Sequence, residues 1–289
     1  MTVLLTGANG QLGSALQRLL RADPTRVLHA VDRDRLDITD AAAVREAVLS
    51  LKPAAIVNAA AYTAVDRAET DRDAAHAVNA VAPEVLAEAA REVDAALVHV
   101  STDYVYHNGL DRPLREDDPT TPRGVYASTK LAGERAALGA YAKTTVLRTS
   151  WVYGLEGHNF LRTMARLGAE RERLTVVSDQ IGAPTFADDL AGAVAAVLAA
   201  GQRGDWAPGV YNYAGLGVAS WYDFARAIME TYGLDCEVAP IPSSEYPTPA
   251  ERPRYSVLDL GRARAAGLPL RHWRDALAAF ARADATTAA

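Results

Sequence analysis

Val3-Leu4-Leu5-Thr6-Gly7-Ala8-Asn9-Gly10-Gln11-Leu12-Gly13 opens the chain and decides how the remainder is read. The apolar run Val3 to Leu5 has strand length and breaks at Gly7, while Gln11 to Arg21 carries apolar residues at helical spacing. The glycines therefore lie between a strand and a helix. There Gly7, Gly10 and Gly13 permit a tight turn and let backbone N–H groups approach a pyrophosphate at the positive end of the helix, where no side chain intrudes. The spacing is G-x-x-G-x-x-G rather than the commoner G-x-G-x-x-G. Glycine-rich turns are also plain structural turns, so position carries more weight than pattern.

Working outward, short apolar runs recur at Arg26-Val31, Ala55-Asn58, Ala96-Val100 and Thr145-Leu147. Between them lie helical patterns at Gln11-Arg21, Ala41-Leu51, Asp73-Val93 and Tyr126-Tyr141, the second preceded by Thr39 and Asp40 as caps. This alternation predicts an α/β fold with a Rossmann-like, doubly wound parallel sheet. The predicted dinucleotide-binding part spans residues 1–150, with segments returning near 183–215 that include a helix at Asp188-Ala200 and a strand at Val210-Tyr213. Residues 151–182 and 216–289, punctuated by glycines and by the proline-rich stretch Pro240 to Pro253, form a smaller, discontinuous substrate-binding lobe. No internal repeat is visible.

Asp32 ends the second strand about 20 residues past the glycine loop, where a carboxylate can accept hydrogen bonds from an adenosine ribose. Arg33 and Arg35 follow and can instead neutralise a 2'-phosphate, so NADPH and NADH both stay open. Tyr126 and Lys130 are four residues apart at a helix start and share one face. A tyrosine of ordinary pKa is a poor proton donor or base at neutral pH unless a cation stabilises its phenolate, which an ammonium one turn away supplies. Y-x-x-x-K alone arises by chance in many helices; the upstream glycine loop changes its weight. Thr102, where the fourth strand runs out, places a hydroxyl at the carboxyl end of the sheet, and strand alternation favours it over Ser101.

Of the 289 residues, 49% are hydrophobic and 23% charged, the balance of an ordinary folded chain. The Ala/Thr-rich tail after about Arg282 is the one stretch expected to be disordered. A net charge of -6 and a pI of about 5.6 give no basic footprint for nucleic acid. The single cysteine, Cys236, excludes an intrachain disulfide, and neither it nor the scattered histidines make a spaced metal cluster. With no signal-peptide pattern and no apolar run of membrane-spanning length, the expectation is a soluble, cytoplasmic chain with no membrane partner.

Four longer motifs carry a resemblance. Asn58-Ala59-Ala60-Ala61-Tyr62-Thr63-Ala64-Val65-Asp66, Ser101-Thr102-Asp103-Tyr104-Val105-Tyr106, Tyr126-Ala127-Ser128-Thr129-Lys130-Leu131-Ala132-Gly133-Glu134 and Arg148-Thr149-Ser150-Trp151-Val152-Tyr153-Gly154 resemble the dTDP-4-dehydrorhamnose reductase family, of the extended short-chain dehydrogenase/reductase type. Asn159-Phe160, Asp179 to Thr185 and Arg252-Pro253 extend the likeness over almost the full chain. The resemblance implies reduction of the C4 ketone of a dTDP-linked 4-keto-6-deoxyhexose, dTDP-4-dehydro-β-L-rhamnose, with NADPH or NADH. It implies Thr102, Tyr126 and Lys130 as the catalytic group. Gly7, Gly10, Gln11, Leu12, Gly13, Asp32, Asp37, Ile38, Ala61, Tyr62, Thr63, Thr102, Asp103, Tyr126 and Lys130 would meet the cofactor, and Thr102, Tyr126, Trp151, Asn159 and Arg252 the substrate.

Some positions depart from the family's pattern. Ala127 stands where glycine is usual, Tyr106 replaces phenylalanine, and Tyr255 sits where asparagine is frequent; only the last bears on the substrate pocket. Ala15 fills a place where a glutamate would help hold a bridging magnesium, so no metal and either a monomer or a homodimer are expected. A sugar-nucleotide 4,6-dehydratase would carry Asp then Glu after the threonine, and here Thr102-Asp103-Tyr104 lacks the glutamate. A non-catalytic cofactor-binding subunit, known among relatives, fits less well with the intact Thr102, Tyr126 and Lys130.

Overall fold

The computed structural model describes residues 1–288. The first half runs β1 (Thr2–Thr6), α1 (Gln11–Arg21), β2 (Val27–Val31), α2 (Ala41–Leu51), β3 (Ala55–Asn58), α3 (Val65–Ala68), α4 (Arg72–His76), α5 (Ala82–Glu92), β4 (Ala96–Thr102), α6 (Gly124–Ala140) and β5 (Thr144–Thr149). Next come β6 (Val152–Tyr153), α7 (Phe160–Glu170), β7 (Arg173–Val177), β8 (Ile181–Gly182), β9 (Thr185–Phe186), α8 (Ala187–Arg203) and β10 (Gly209–Asn212). The chain closes with β11 (Ala219–Ser220), α9 (Trp221–Tyr232), β12 (Glu237–Ile241), α10 (Gly261–Ala265) and α11 (Trp273–Ala288).

Six strands form one parallel sheet in the order β10-β5-β4-β3-β1-β2. Successive side chains of a strand face opposite ways, so Val3 and Leu5 pack with Leu16, Leu190 and Val194 of α1 and α8, while Leu4 packs with Val48 and Leu86 of α2 and α5. Both faces are covered, as an all-parallel sheet requires. The strand order reverses at β1, with β2 on one side and β3 on the other. Carboxyl ends of strands at such a switch point open a crevice for ligands, and the glycine loop leaves β1 there.

A separate apolar cluster gathers Tyr153, Leu161, Leu174, Phe224, Ile228, Trp273 and Phe280 from the second half of the chain. Its sheets are two-stranded: β12 with β7, β11 with β8, and β6 with β9.

Two expectations are corrected. The single helix expected over Asp73-Val93 is broken into α4, a π-helical turn at Ala77–Val81, and α5. Pro83 has no N–H to donate within that run, and the wider turn aims Asn79 inward, where its amide bonds the main chain of Tyr62 at 2.8 and 3.0 Å. The tail after Arg282, expected to be disordered, is helical through Ala288. Alanine is the best helix former, and Asp284 anchors the last turns by accepting from Arg162 at 2.9 Å and Tyr232 at 3.1 Å. Among the described residues, no helix is long and apolar enough to cross a membrane.

Candidate active site

Steric demands separate the three loop glycines. Gly7 has φ +74, and a Cβ on it would come within 2.5 Å of the Ala60 backbone nitrogen; one on Gly13 would lie 2.0 Å from the Gly7 carbonyl oxygen. Those two let helix and strand approach each other. A Cβ at Gly10 would meet only the Gly7 oxygen, at 3.4 Å. Gly10 caps α1 without any side-chain hydrogen bond, and the first turn of α1 carries no acid, so the positive end of the helix is left to face a cleft. That cleft encloses about 720 Å³ and is lined by Gly7, Gly10, Gln11, Leu12, Asp32, Asp37, Ile38, Ala61, Tyr62 and Thr63, bringing ten of the expected cofactor residues together. Gly13 lies beneath it as packing. The dimensions and the bare helix terminus suit a dinucleotide.

At the far end, Asp32 is half-buried and holds the loop by accepting from the Asn9 side-chain amide and, at 3.3 Å, from the Arg35 N–H. Asp37 commits one oxygen to the Thr39 N–H and hydroxyl, at 2.9 and 2.7 Å, and these bonds hold its carboxyl below the usual range. Its other oxygen draws Arg33 to 3.4 Å, although that guanidinium is 87% exposed.

The Thr102, Tyr126 and Lys130 side chains converge where β4 meets α6. The Thr102 hydroxyl bonds Tyr126 and donates to Asp103 Oδ1 at 3.1 Å, while accepting from the Tyr104 N–H at 3.2 Å. Burial pushes the Tyr126 phenol up to about 12 despite the Thr102 hydroxyl, so the phenol keeps its proton at neutral pH. Burial also pushes the Asp103 carboxyl up to about 6, against the hydroxyls of Ser256 and Thr102. Lys130, only 2% exposed, donates to the Val100 carbonyl at 2.7 Å and stands 3.5 Å from His99 Nε2. Burial brings its ammonium down to about 8, opposed by the field of Glu134. In this arrangement burial, and not the lysine one turn away, governs Tyr126.

The expected substrate residues are placed unevenly. Trp151 holds a left-handed φ of 46, uncommon outside glycine, and its indole stacks on Trp221 with centroids 3.7 Å apart. A Cβ on Gly182 would lie 2.7 Å from that indole, so the absence of a side chain there lets the ring pack closely on the backbone. Strain of this kind costs ~1–3 kcal/mol and persists where the surroundings enforce it, commonly at functional sites. Asn159 caps α7, accepting from the Arg162 N–H at 3.0 Å, and both its amide hydrogens are used, on Gln11 Oε1 at 3.1 Å and the Gly154 carbonyl at 2.8 Å. It reaches the cleft through Gln11. Arg252 forks onto Asp66 at 2.6 and 2.8 Å. Asp103 is buried and bonded to Thr102 and Ser256. Among the described residues, no group of three or more His, Cys, Asp or Glu side chains could hold a metal ion.

Residues missed in the sequence include Trp221, Ser256 and His99. A histidine inside the otherwise apolar run Leu97-Val98-His99-Val100 of a central strand was the available signal, since such a ring needs partners.

A family model described as the RmlD substrate binding domain matches residues 1–285. A dTDP-4-dehydrorhamnose reductase from Streptomyces griseus is 48% identical over 277 residues, covering 95% of this chain and 91% of that protein. A probable dTDP-4,6-dihydroxy-2-methyloxan-3-one 4-ketoreductase from Streptomyces antibioticus is 44% identical, covering 96% and 93%. Among solved structures, a dTDP-4-dehydrorhamnose reductase from Bacillus anthracis in complex with NADP has a TM-score of 0.90 at 37% identity, covering 96% of this chain and 98% of that one.

Proposed function

Because the chain belongs to the RmlD substrate binding domain family, we propose that it is a dTDP-4-dehydrorhamnose reductase that uses NADPH or NADH to reduce the C4 ketone of dTDP-4-dehydro-β-L-rhamnose to dTDP-β-L-rhamnose. One observation carries this reading: a hydrogen-bonded Thr102-Tyr126 pair and a buried Lys130 stand at the carboxyl end of β4, in the sheet whose switch point holds the glycine-cradled cleft. The bound nicotinamide supplies the hydride. Tyr126 holds the proton that the developing C4 oxyanion takes up, and Thr102 orients both groups by hydrogen bonding. Lys130, fixed on the Val100 carbonyl, has donors left for the nicotinamide ribose. Residues 1–150 with 183–215 act as the cofactor part and 151–182 with 216–289 as the substrate lobe, where the half-buried Trp151, stacked on Trp221, offers the remaining surface of its indole to sugar or base. The protein acts in the cytoplasm as a monomer or homodimer, without metal, nucleic acid or membrane.

Mixing the protein with dTDP-4-dehydrorhamnose and each reduced cofactor should consume the nicotinamide absorbance. A flat trace with both would refute the reading. The Streptomyces antibioticus relative supports a second substrate, another dTDP-4-keto-6-deoxyhexose of a secondary-metabolite sugar. Comparing kcat/KM for the two ketosugars, and the C4 configuration of each product, decides between them.

Cofactor choice follows from the far end of the cleft. Asp32 accepts from the ribose in NADH and repels the 2'-phosphate of NADPH, while Arg35 and the loosely held Arg33 attract it. Asp32→Ala should shift the ratio of kcat/KM toward NADPH by about 1 to 2 kcal/mol. Steady-state kinetics with both cofactors checks this, and an unchanged ratio would move the ribose contact to Asp37 and Ile38.

A further inference from the structure

Lys130 ends a buried chain of side chains that begins under the cofactor cleft. Asn58 Oδ1 accepts from the Ala60 N–H at 3.2 Å and from the Thr6 hydroxyl at 2.8 Å. A backbone N–H cannot accept, so it fixes which end of the amide faces it. Asn58 Nδ2 then points at His99 Nδ1, 3.1 Å away. An amide nitrogen can only donate, so Nδ1 must accept and the ring proton sits on Nε2. Nε2 in turn faces Lys130 Nζ at 3.5 Å. An N–H opposite an ammonium is a clash of donors, whereas an N–H opposite a neutral amine meets its lone pair.

We propose that Asn58 and His99 are positioning residues that set the proton state of Lys130 by locking the imidazole as its Nε2–H tautomer, and this deepens the reductase reading given above. The other groups around Lys130 do not duplicate this. Glu134, one turn further along α6, favours the ammonium, but its carboxylate is shared with Arg148 of β5 at 2.7 Å. Tyr126 lies one turn earlier on the same helix, and Asn79 of the π-helical turn spends its amide on the Tyr62 main chain and on Thr129, at 3.4 Å. His99 is buried and stays neutral, held well below the ordinary imidazole range by burial first and by Lys130 second. The consequence is that the Nε2–H, 3.5 Å from Nζ, adds to burial in favouring the amine of Lys130 against the field of Glu134, so that both its forms are within reach near the pH of use.

Asn58→Asp inverts the chain. Its carboxylate still accepts from Ala60 and Thr6, but opposite His99 it accepts too, so the imidazole proton moves to Nδ1 and Nε2 becomes an acceptor for the Lys130 ammonium. Long-range proton–nitrogen NMR on the protein labelled at its six histidines, with His99→Gln assigning the signal, reads the tautomer directly. The expected result is a protonated Nε2 in the unaltered protein and a protonated Nδ1 in Asn58→Asp. In parallel, the alkaline limb of kcat/KM, expected near Lys130's value of about 8, should move up by about one pH unit in Asn58→Asp, read as roughly tenfold less activity lost above the limb. A protonated Nδ1 in the unaltered protein overturns the proposal even if Asn58→Asp fails to fold. So does an unmoved limb in a folded Asn58→Asp with a switched tautomer. Absence of ketosugar reduction alongside the expected tautomers would instead sink the reductase reading and leave the lock standing.

Discussion

Tyr126→Phe is expected to lower kcat by about 10²-fold or more while leaving the affinity for NADPH and NADH nearly unchanged. The substitution removes one oxygen and keeps the ring, which packs edge-on against Tyr104 with centroids 5.5 Å apart. Nothing in the glycine-cradled cleft depends on that oxygen. The loss falls on the step in which charge grows on the sugar C4 oxygen, where the only remaining hydroxyl of the pair belongs to Thr102, whose hydrogen is directed at Asp103. A factor of 10² corresponds to about 2.7 kcal/mol of transition-state stabilisation, within reach of one well-placed proton donor. Steady-state turnover together with direct titration of cofactor binding separates the two quantities. Turnover within about threefold of the unaltered enzyme, or weakened cofactor binding with normal turnover, would remove Tyr126 from the role of proton donor.

How much of this could be read from residue order depends on whether the signal was local. The helices at Gln11–Arg21 and Ala41–Leu51 agree with expectation end to end because punctuation sits beside them: Gly10 before the first, and before the second Asp40, whose carboxylate accepts from the Ala43 N–H at 3.0 Å. That these residues line one cleft was legible for the same reason, since the glycine loop, Asp32 and the Ala61-Tyr62-Thr63 segment all follow directly from strand ends. Interactions bridging distant segments were not legible. His99 gains meaning only when β3 lies beside β4 and places Asn58 on one side of the ring, with α6 bringing Lys130 to the other. Likewise the Ala/Thr tail has no apolar periodicity of its own, and its helix is held by Arg162 and Tyr232 from α7 and α9. The ordinary propensity rule misjudged Asp73-Val93 in the opposite direction, because a π-helical turn leaves the helical composition intact while rotating Asn79 inward.

The helix that carries Tyr126 and Lys130 is pinned to the sheet by charge as well as by apolar contact, and Arg148→Met tests how much that matters. Arg148 of β5 forks onto Glu134 of α6 at 2.7 and 3.1 Å, with side chains only 6% and 1% exposed, and donates as well to the Tyr106 hydroxyl and the Glu116 carbonyl. Removing the guanidinium alone leaves a buried carboxylate without its hydrogen-bond donor, with only the field of Lys130 to offset its charge. Breaking a buried pair in this way costs about 3–5 kcal/mol, compared with ~0–1 kcal/mol for exposed pairs such as Arg166 with Glu170. The midpoint of urea unfolding should fall accordingly, with the slope unchanged. Adding Glu134→Gln should return much of the loss, because the penalty belongs to the orphaned charge and not to the missing attraction. A single-variant loss below about 1 kcal/mol, or a double variant no more stable than the single, would mean that water reaches Glu134 and that apolar packing alone holds α6 against β5.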